Sequence, residues 1–238
     1  MAPAPNAPAP AGGLVRREVD YDPPPDEGLD LVHVDEAMVV VAKPPGLLSV
    51  PGRGEDRADC MALRVQQRFP DALIVHRLDQ ATSGLLVLGR GAHWQRALSL
   101  CFERRLVHKR YEALVHGLIE ADEGEVNLPL ITDWPQRPRQ MVCLVRGKPS
   151  LTRYRVMRRD AGADQDQGRT RVSLEPVTGR SHQLRVHMLA LGHPIVGDGL
   201  YGDDTDRATP RMMLHAAELA LPHPETGVPL HFVSPTPF

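Results

Sequence analysis

Short apolar runs and helical repeats alternate along the chain from residue 38 onward. The runs at 38–42 (MVVVA), 73–75 (LIV) and 85–88 (LLVL) are bounded by turn residues and predict buried strands. In residues 59–69 and 93–102, apolar side chains recur every three or four positions, as on one face of a helix. These two segments therefore predict helices.

Further strands are predicted at 111–115, 151–156 and 172–174. A last helix is expected to run to Leu191, with Ser181 as its N-cap, and Gly192 ends it. Strands and helices mix without regular βαβ alternation. This arrangement predicts a single α+β domain with a central mixed or antiparallel sheet, flanked by helices and loops.

Composition changes this picture mainly at the N-terminus. Many of the 23 prolines crowd into residues 1–28, which we expect to be a disordered Pro/Ala-rich tail ahead of a globular domain at 29–238. No apolar run approaches 18 residues, and the start lacks the charged and apolar regions of a signal peptide. The three cysteines form no paired spacing. We expect a cytoplasmic, monomeric protein that does not bind a membrane.

The net charge of −2 hides a separation of charges. Between Glu18 and Glu36 there are eight acidic residues and no Lys or Arg, whereas residues 134–159 contain eight bases and no acid. A second basic cluster spans Arg104–Arg110. Such runs are consistent either with a solvated face or with a binding site for a polyanion, and charge alone leaves both open.

Three polar segments interrupt apolar, turn-rich sequence: 43–53 (KPPGLLSVPGR), 76–84 (HRLDQATSG) and 178–185 (TGRSHQLR). Taken singly, the first indicates a stiffened loop, the second a turn capped by Asp79, and the third a helix start with two arginines that could bind phosphate or a carboxylate. Motifs of the types GxxxxGK[ST], GxSxG and HExxH are lacking. We therefore expect neither a metal nor an organic cofactor.

Together and in this order, the segments resemble the RluA family of pseudouridine synthases. HRLDQATSGLLVL is similar to the catalytic motif of the family, and KPPGLLSVPG, KRYEALVHG and GRSHQLRVHMLALGHPIVGD are similar to three others. The likeness covers 31–238. It implies a pseudouridine-synthase catalytic domain, here without the S4-like RNA-binding domain common in the family. The stretch LPLITDWPQRPRQ is closer to the A-type members, which act on both transfer RNA and large-subunit ribosomal RNA.

The resemblance implies a role for each matching residue. Asp79 would be the catalytic carboxylate, paired with Arg185, and Tyr111 would pack on the target base and handle a proton. Leu184 would form the opposite apolar wall. Arg77 would take the place of the flipped base, because enzymes that act on a base must draw it out of its stack.

For RNA binding beyond the target base, the sequence points to Arg137 and Arg139 in the basic segment. Arg180 could bind phosphate or brace its loop, and both alternatives stay open. The implied partners are the anticodon stem-loop of transfer RNA and a hairpin of 23S ribosomal RNA. Two alternatives stay open: a family member restricted to ribosomal RNA, and a non-catalytic RNA-binding or ribosome-assembly protein that kept the fold.

Overall fold

Twelve strands and four helices make up the described part of the chain, residues 21–162 and 168–238 of the computed structural model. The helices are α1 Met61–Arg68, α2 Gly91–Glu103, α3 Gln183–Ala190 and α4 Asp204–Ala208. The strands are β1 Leu31–Val34, β2 Met38–Lys43, β3 Ala72–Ile74, β4 Ser83–Arg90, β5 His108–His116, β6 Glu123–Asn127, β7 Leu130–Thr132, β8 Gln140–Val142, β9 Leu151–Asp160, β10 Arg169–Pro176, β11 Leu214–Pro222 and β12 Pro229–Val233.

Ten of these strands form one mixed sheet. Its order is β1-β2-β4-β11-β5-β10-β9-β6, with β3 added beside β4 and β12 beside β11. The pair β4–β11 is parallel, and β11 pairs antiparallel with β5 on its other side. Strands β7 and β8 form a separate two-stranded sheet. The predicted α+β fold with a mixed sheet is thereby confirmed.

Each strand and helix predicted from the pattern overlaps an element of the same type. No element was predicted after residue 192, however. Strand β11, which lies near the middle of the sheet, was therefore not predicted. Its sequence, LHAAELALP, is rich in Ala, Leu and Glu, which favour helices in isolation. Burial between β4 and β5 overrides that preference.

The predicted N-cap of α3 is wrong. His182, not Ser181, precedes the first turn, and it adopts a left-handed conformation with φ of 53°. The Gln183 side chain closes the turn instead, because its Oε1 accepts from the Arg180 backbone N–H and from the Thr178 hydroxyl. These bonds fix the 178–183 loop beside the helix.

Part of the predicted tail is packed against the domain. The Tyr21 hydroxyl donates to the Asp59 carbonyl and accepts from the Leu48 N–H, at 2.9 and 3.0 Å. The buried guanidinium of Arg64 donates to the carbonyls of Pro24 and Pro25. Residues 21–28 therefore contact the domain, and the domain boundary at residue 28 stays a prediction. The rest of the predicted tail, residues 1–20, lies outside the described residues.

Two apolar clusters flank the central strands. One surrounds α3 and the strands β5 and β10, and the other surrounds α1 and the strands β2 and β4. Tyr111 packs against both clusters, so it marks their junction. None of the helices in the described ranges has the length and hydrophobicity needed to cross a bilayer.

Candidate active site

The loop that carries Asp79 is held on both sides by the 43–53 segment. The Ser49 hydroxyl donates to the Leu78 carbonyl and accepts from the Leu78 N–H. The Lys43 ammonium is buried and donates to the carbonyls of Gln80, Leu47 and Pro44. Burial lowers the pKa of Lys43 to about 7, and the Asp79 charge opposes this shift. The proline-rich segment thus positions the backbone directly before and after Asp79.

Asp79 faces a buried arginine, as the resemblance implied. Its Oδ2 lies 3.2 Å from Nη1 of Arg185, and the side chains are 20% and 4% exposed. Asp198, with no exposed side-chain surface, binds the same guanidinium through two hydrogen bonds of 2.7 Å. Burial alone would lower the pKa of Arg185, but the two carboxylates outweigh it and raise the pKa. Arg185 therefore stays cationic beside the Asp79 carboxylate.

One oxygen of Asp79 is fixed and the other is available. Among residues 21–162 and 168–238, no hydrogen bond reaches Oδ1. A carboxylate anchored through one oxygen keeps its orientation and its charge while the second oxygen can approach a substrate atom. The arrangement suits a nucleophile or a base.

Asp198 lies in a glycine-rich loop for which the sequence predicted no role. Residues 197–202 (GDGLYG) have the GxGxxG glycine spacing that is typical of dinucleotide-binding loops. In the structure this loop is filled by the protein itself: a Cβ at Gly197 would meet the Arg211 carbonyl, and one at Gly202 would meet the Asp206 carboxylate. The loop therefore holds Arg185 through Asp198, and its first and last glycines pack closely against other parts of the protein.

A cavity of about 490 Å³ opens above the carboxylate, a size typical of small-molecule and nucleotide sites. Tyr111 and the buried Leu184 are among its lining residues, as the resemblance implied. Burial, and then the Asp79 charge, raise the pKa of Tyr111. Its phenol therefore keeps its proton at neutral pH.

The rim of the cavity is cationic. Arg77 and Arg180, both expected at the site, are exposed and line it. Arg180 also donates through Nε to the Pro149 carbonyl. Arg105 and Lys109, from the second basic cluster, line the cavity as well, and burial lowers the pKa of Lys109. Cations around an open pocket favour a polyanionic ligand.

Tyr201 connects the site to the β7–β8 hairpin. Its hydroxyl bonds to Nδ1 of His182 at 2.8 Å and accepts from the Gln140 N–H at 2.7 Å. Burial lowers the pKa of His182, whose Nε2 lies 4.0 Å from Oδ2 of Asp79. The sequence did not predict a role for His182 or Tyr201. His182 lies inside one of the motifs that carried the resemblance, and Tyr201 follows the end of that motif by three residues.

Arg137 and Arg139 lie outside the cavity, on the loop that joins β7 to β8. The guanidinium of Arg139 lies 5.2 Å from the ring centroid of Tyr201, which places it beside the site. The structure thus brings six of the eight candidate residues to the cavity and the other two to a neighbouring loop.

The basic segment 134–159 divides into two parts. On β9, all four arginines form ion pairs, three of them with acidic residues on or just before β6: Arg153 with Glu125, Arg155 with Glu123, Arg158 with Asp160 and Arg159 with Asp122. The four bases nearer the hairpin form no ion pair within the described ranges: Arg137, Arg139, Arg146 and Lys148. Free positive charge is therefore concentrated at the hairpin.

A metal centre was not expected. Within 21–162 and 168–238, no group of three or more His, Cys, Asp or Glu side chains is arranged to hold a metal ion.

Comparison with known proteins identifies the family of this chain. Residues 37–190 match the model of the RNA pseudouridylate synthase family. A solved structure, the human RNA pseudouridylate synthase domain containing 1, superposes with a TM-score of 0.75 at 31% identity, covering 91% of this chain and 87% of that one. The chain belongs to the RNA pseudouridylate synthase family.

Two bacterial relatives are similar over most of their length. The dual-specificity RNA pseudouridine synthase RluA of Vibrio cholerae is 50% identical over 208 residues, 87% of this chain and 82% of the relative. The protein of the same name from Escherichia coli K12 is 47% identical over 220 residues, 92% and 98% of the two chains.

Proposed function

We propose that this chain isomerises specific uridines to pseudouridine in both transfer RNA and large-subunit ribosomal RNA. The observation that carries the proposal is the Asp79 carboxylate, anchored by Arg185 at a cavity with a cationic rim. The relatives named dual-specificity pseudouridine synthases support the choice of two RNA classes. The cytoplasmic location and the monomeric state remain predictions.

The reaction needs an ionised group beside the sugar. The bond between C1′ and N1 of the uridine breaks, the uracil turns, and C5 joins C1′. C5 then loses its proton, and N1 ends protonated. Covalent attack by the carboxylate and carboxylate-assisted elimination both require charged Asp79, and Arg185 supplies the counter-charge. Tyr111 and Leu184 would hold the uracil between them while it turns. Extruding the base costs a few kcal/mol, and stacking on an aromatic ring returns roughly 1–3 kcal/mol.

The test is Asp79→Asn, which removes the charge at nearly constant shape. We expect isomerisation to be lost while RNA binding stays within about twofold. The measurement is single-turnover release of tritium from uridine C5 with excess enzyme, beside a filter-binding titration. Glu103→Gln is the matched control, because Glu103 lines the same cavity and is exposed. Conversion by the Asn variant within about tenfold of wild type, only ~1.4 kcal/mol in the barrier, would remove Asp79 from catalysis.

The same assay separates the alternatives. A non-catalytic RNA-binding protein would show no tritium release in the wild type. Sequencing of pseudouridine in transfer and ribosomal RNA, with and without the gene, distinguishes a dual-specificity enzyme from one restricted to ribosomal RNA. Loss of sites in both RNA classes on deletion is the expected result.

A further inference from the structure

The loop between β7 and β8 presents an exposed tryptophan. The Trp134 side chain is 64% exposed, whereas Trp94, on α2, is half-buried. The guanidinium carbon of Arg137 lies 4.6 Å from the centroid of the Trp134 ring and covers one of its faces. The large exposed area leaves the other face open to solvent. A solvated indole with an arginine on one face is a common feature of binding surfaces.

The base of this hairpin is fixed to the active site. Leu130, on β7, packs with Val186 of α3 and with Tyr201, and the Gln140 N–H bonds to the Tyr201 hydroxyl. Because Tyr201 also contacts His182, the hairpin has a defined position beside the catalytic cavity. An RNA whose target base occupies the cavity would bring neighbouring nucleotides to the loop.

The charges around Trp134 match a nucleic acid. Arg137, Arg139, Arg146 and Lys148 form no ion pair within the described residues, in contrast to the paired arginines of β9. Within the hairpin, residues 130–142, the two bases Arg137 and Arg139 outnumber the one acidic residue, Asp133. The hairpin therefore carries excess positive charge. Unpaired cations contact phosphates, and an open aromatic face stacks on a base of any identity.

We propose that Trp134 stacks on an unpaired base of the RNA substrate, outside the cavity that takes the target uridine. Arg137 holds the ring from its other face, and the neighbouring cations contact the flanking phosphates. This inference rests on the proposed RNA substrate. An anionic membrane could also attract a basic loop with an exposed tryptophan, and the experiment tests it as a competing outcome.

The first measurement is tryptophan fluorescence in a Trp94→Phe background, in which Trp134 is the remaining tryptophan. We expect an RNA stem-loop that contains the target uridine to quench the emission. A blunt RNA duplex of equal length should bind through phosphates with little quenching, because it offers no unpaired base. Vesicles containing anionic lipid should leave the emission unchanged. No quenching by the stem-loop, equal quenching by the duplex, or a response to vesicles alone would each overturn the proposal.

The second measurement is affinity in the otherwise wild-type protein. Trp134→Ala should weaken stem-loop binding about 5- to 150-fold, the equivalent of ~1–3 kcal/mol of lost stacking, and Trp134→Phe should recover part of the loss. The slope of log K against log salt should not change, because no charge is removed. Affinity of the Ala variant within twofold of wild type contradicts the proposal.

Turnover separates this inference from the proposed function. Fluorescence quenching and affinity are both measured without turnover, so they stand whether or not the protein makes pseudouridine. A wild-type protein that makes no pseudouridine refutes the function but leaves the stacking measurement intact. A Trp134→Ala variant that binds RNA normally refutes the stacking role and leaves the proposed function untouched.

Discussion

The central arginine, Arg185, has two carboxylate partners that differ in burial and in number of bonds. Asp198 is fully buried and binds the guanidinium through two hydrogen bonds, whereas Asp79 is partly exposed and makes one. Removing one partner of a buried ion pair leaves an uncompensated charge, which is costly. The two aspartates should therefore divide their roles: Asp198 holds the arginine in place, and Asp79 meets the substrate.

Substitution of each aspartate by asparagine tests this division. Asp198→Asn should lower the free energy of unfolding by about 3–5 kcal/mol, whereas Asp79→Asn should lower it by less than about 2 kcal/mol. Urea unfolding of the two variants beside wild type is the measurement. Equal losses would show that the two contacts contribute alike.

At the scale of single residues, the sequence identified the groups that match family motifs but not those that support them. Asp79, Arg185, Tyr111 and Leu184 were expected together at one site, and they meet there. Asp198, Tyr201 and Lys43 lay inside or beside the quoted motifs, yet their partners lie 13, 19 and 37 positions away in the sequence, and no pattern predicts these contacts. A motif shows which residues recur but does not show which side chains bind each other.

At the scale of elements, the segment 21–28 behaves as a strap across α1. Arg64, on that helix, is buried and receives two of its acceptors from this strap. The Tyr21 hydroxyl also forms hydrogen bonds with two backbone groups, the Asp59 carbonyl and the Leu48 N–H. Proline-rich composition correctly discourages helix and strand here, but it does not reveal tertiary anchoring of an irregular segment.

Truncation measures the contribution of this strap. A protein that starts at Leu29 should be less stable than one that starts at Tyr21, by about 2–4 kcal/mol, since several hydrogen bonds to buried groups are lost. Tyr21→Phe in the full chain should cost about 1–2 kcal/mol by the same reasoning. Thermal unfolding of the three proteins provides the comparison. Identical melting temperatures for the two truncated proteins would show that the strap contributes nothing.

The basic segment 134–159 spans two elements that differ in ion pairing, the β7–β8 hairpin and β9. Neutralising Arg137 and Arg139 together should weaken RNA binding and flatten the slope of log K against log salt by about one unit per lost phosphate contact. The matched control is the charge-balanced double variant Arg153→Gln and Glu125→Gln, which removes an ion pair of β9. We expect the control to keep the wild-type slope. Equal effects of the two double variants would show that β9 contacts the RNA as well.

At the scale of the whole molecule, several buried histidines make stability depend on pH. Burial, with a smaller effect of the Lys109 charge, lowers the pKa of His76 to about 3. Burial is also the main cause that lowers the pKa of three others: His182, His187 and His215. Between the unfolded value near 6.5 and these lower folded values, the unfolded chain binds more protons, so stability falls as pH falls below about 6.5.

The contribution of His76 can be isolated by His76→Gln. This variant should reduce the slope of unfolding free energy against pH, between pH 6 and 4, by up to ~1.4 kcal/mol per pH unit. Urea denaturation at a series of pH values gives the slope. The control is His108→Gln, at an exposed position, which should leave the slope unchanged. An unchanged slope in the His76 variant would contradict the assignment.

The position of β11 has a consequence for the newborn protein on the ribosome. This strand pairs with β4 on one side and with β5 on the other, and so joins the half that carries Asp79 to the half that carries Tyr111 and Arg185. Contacts such as Ser83 with His215 span 132 positions of sequence, and long-range pairings of this kind form late in folding. A nascent chain that has emerged only to residue 200 holds every candidate catalytic residue but cannot align them. Catalytic competence therefore arises only after residues 214–222 have emerged and completed the sheet.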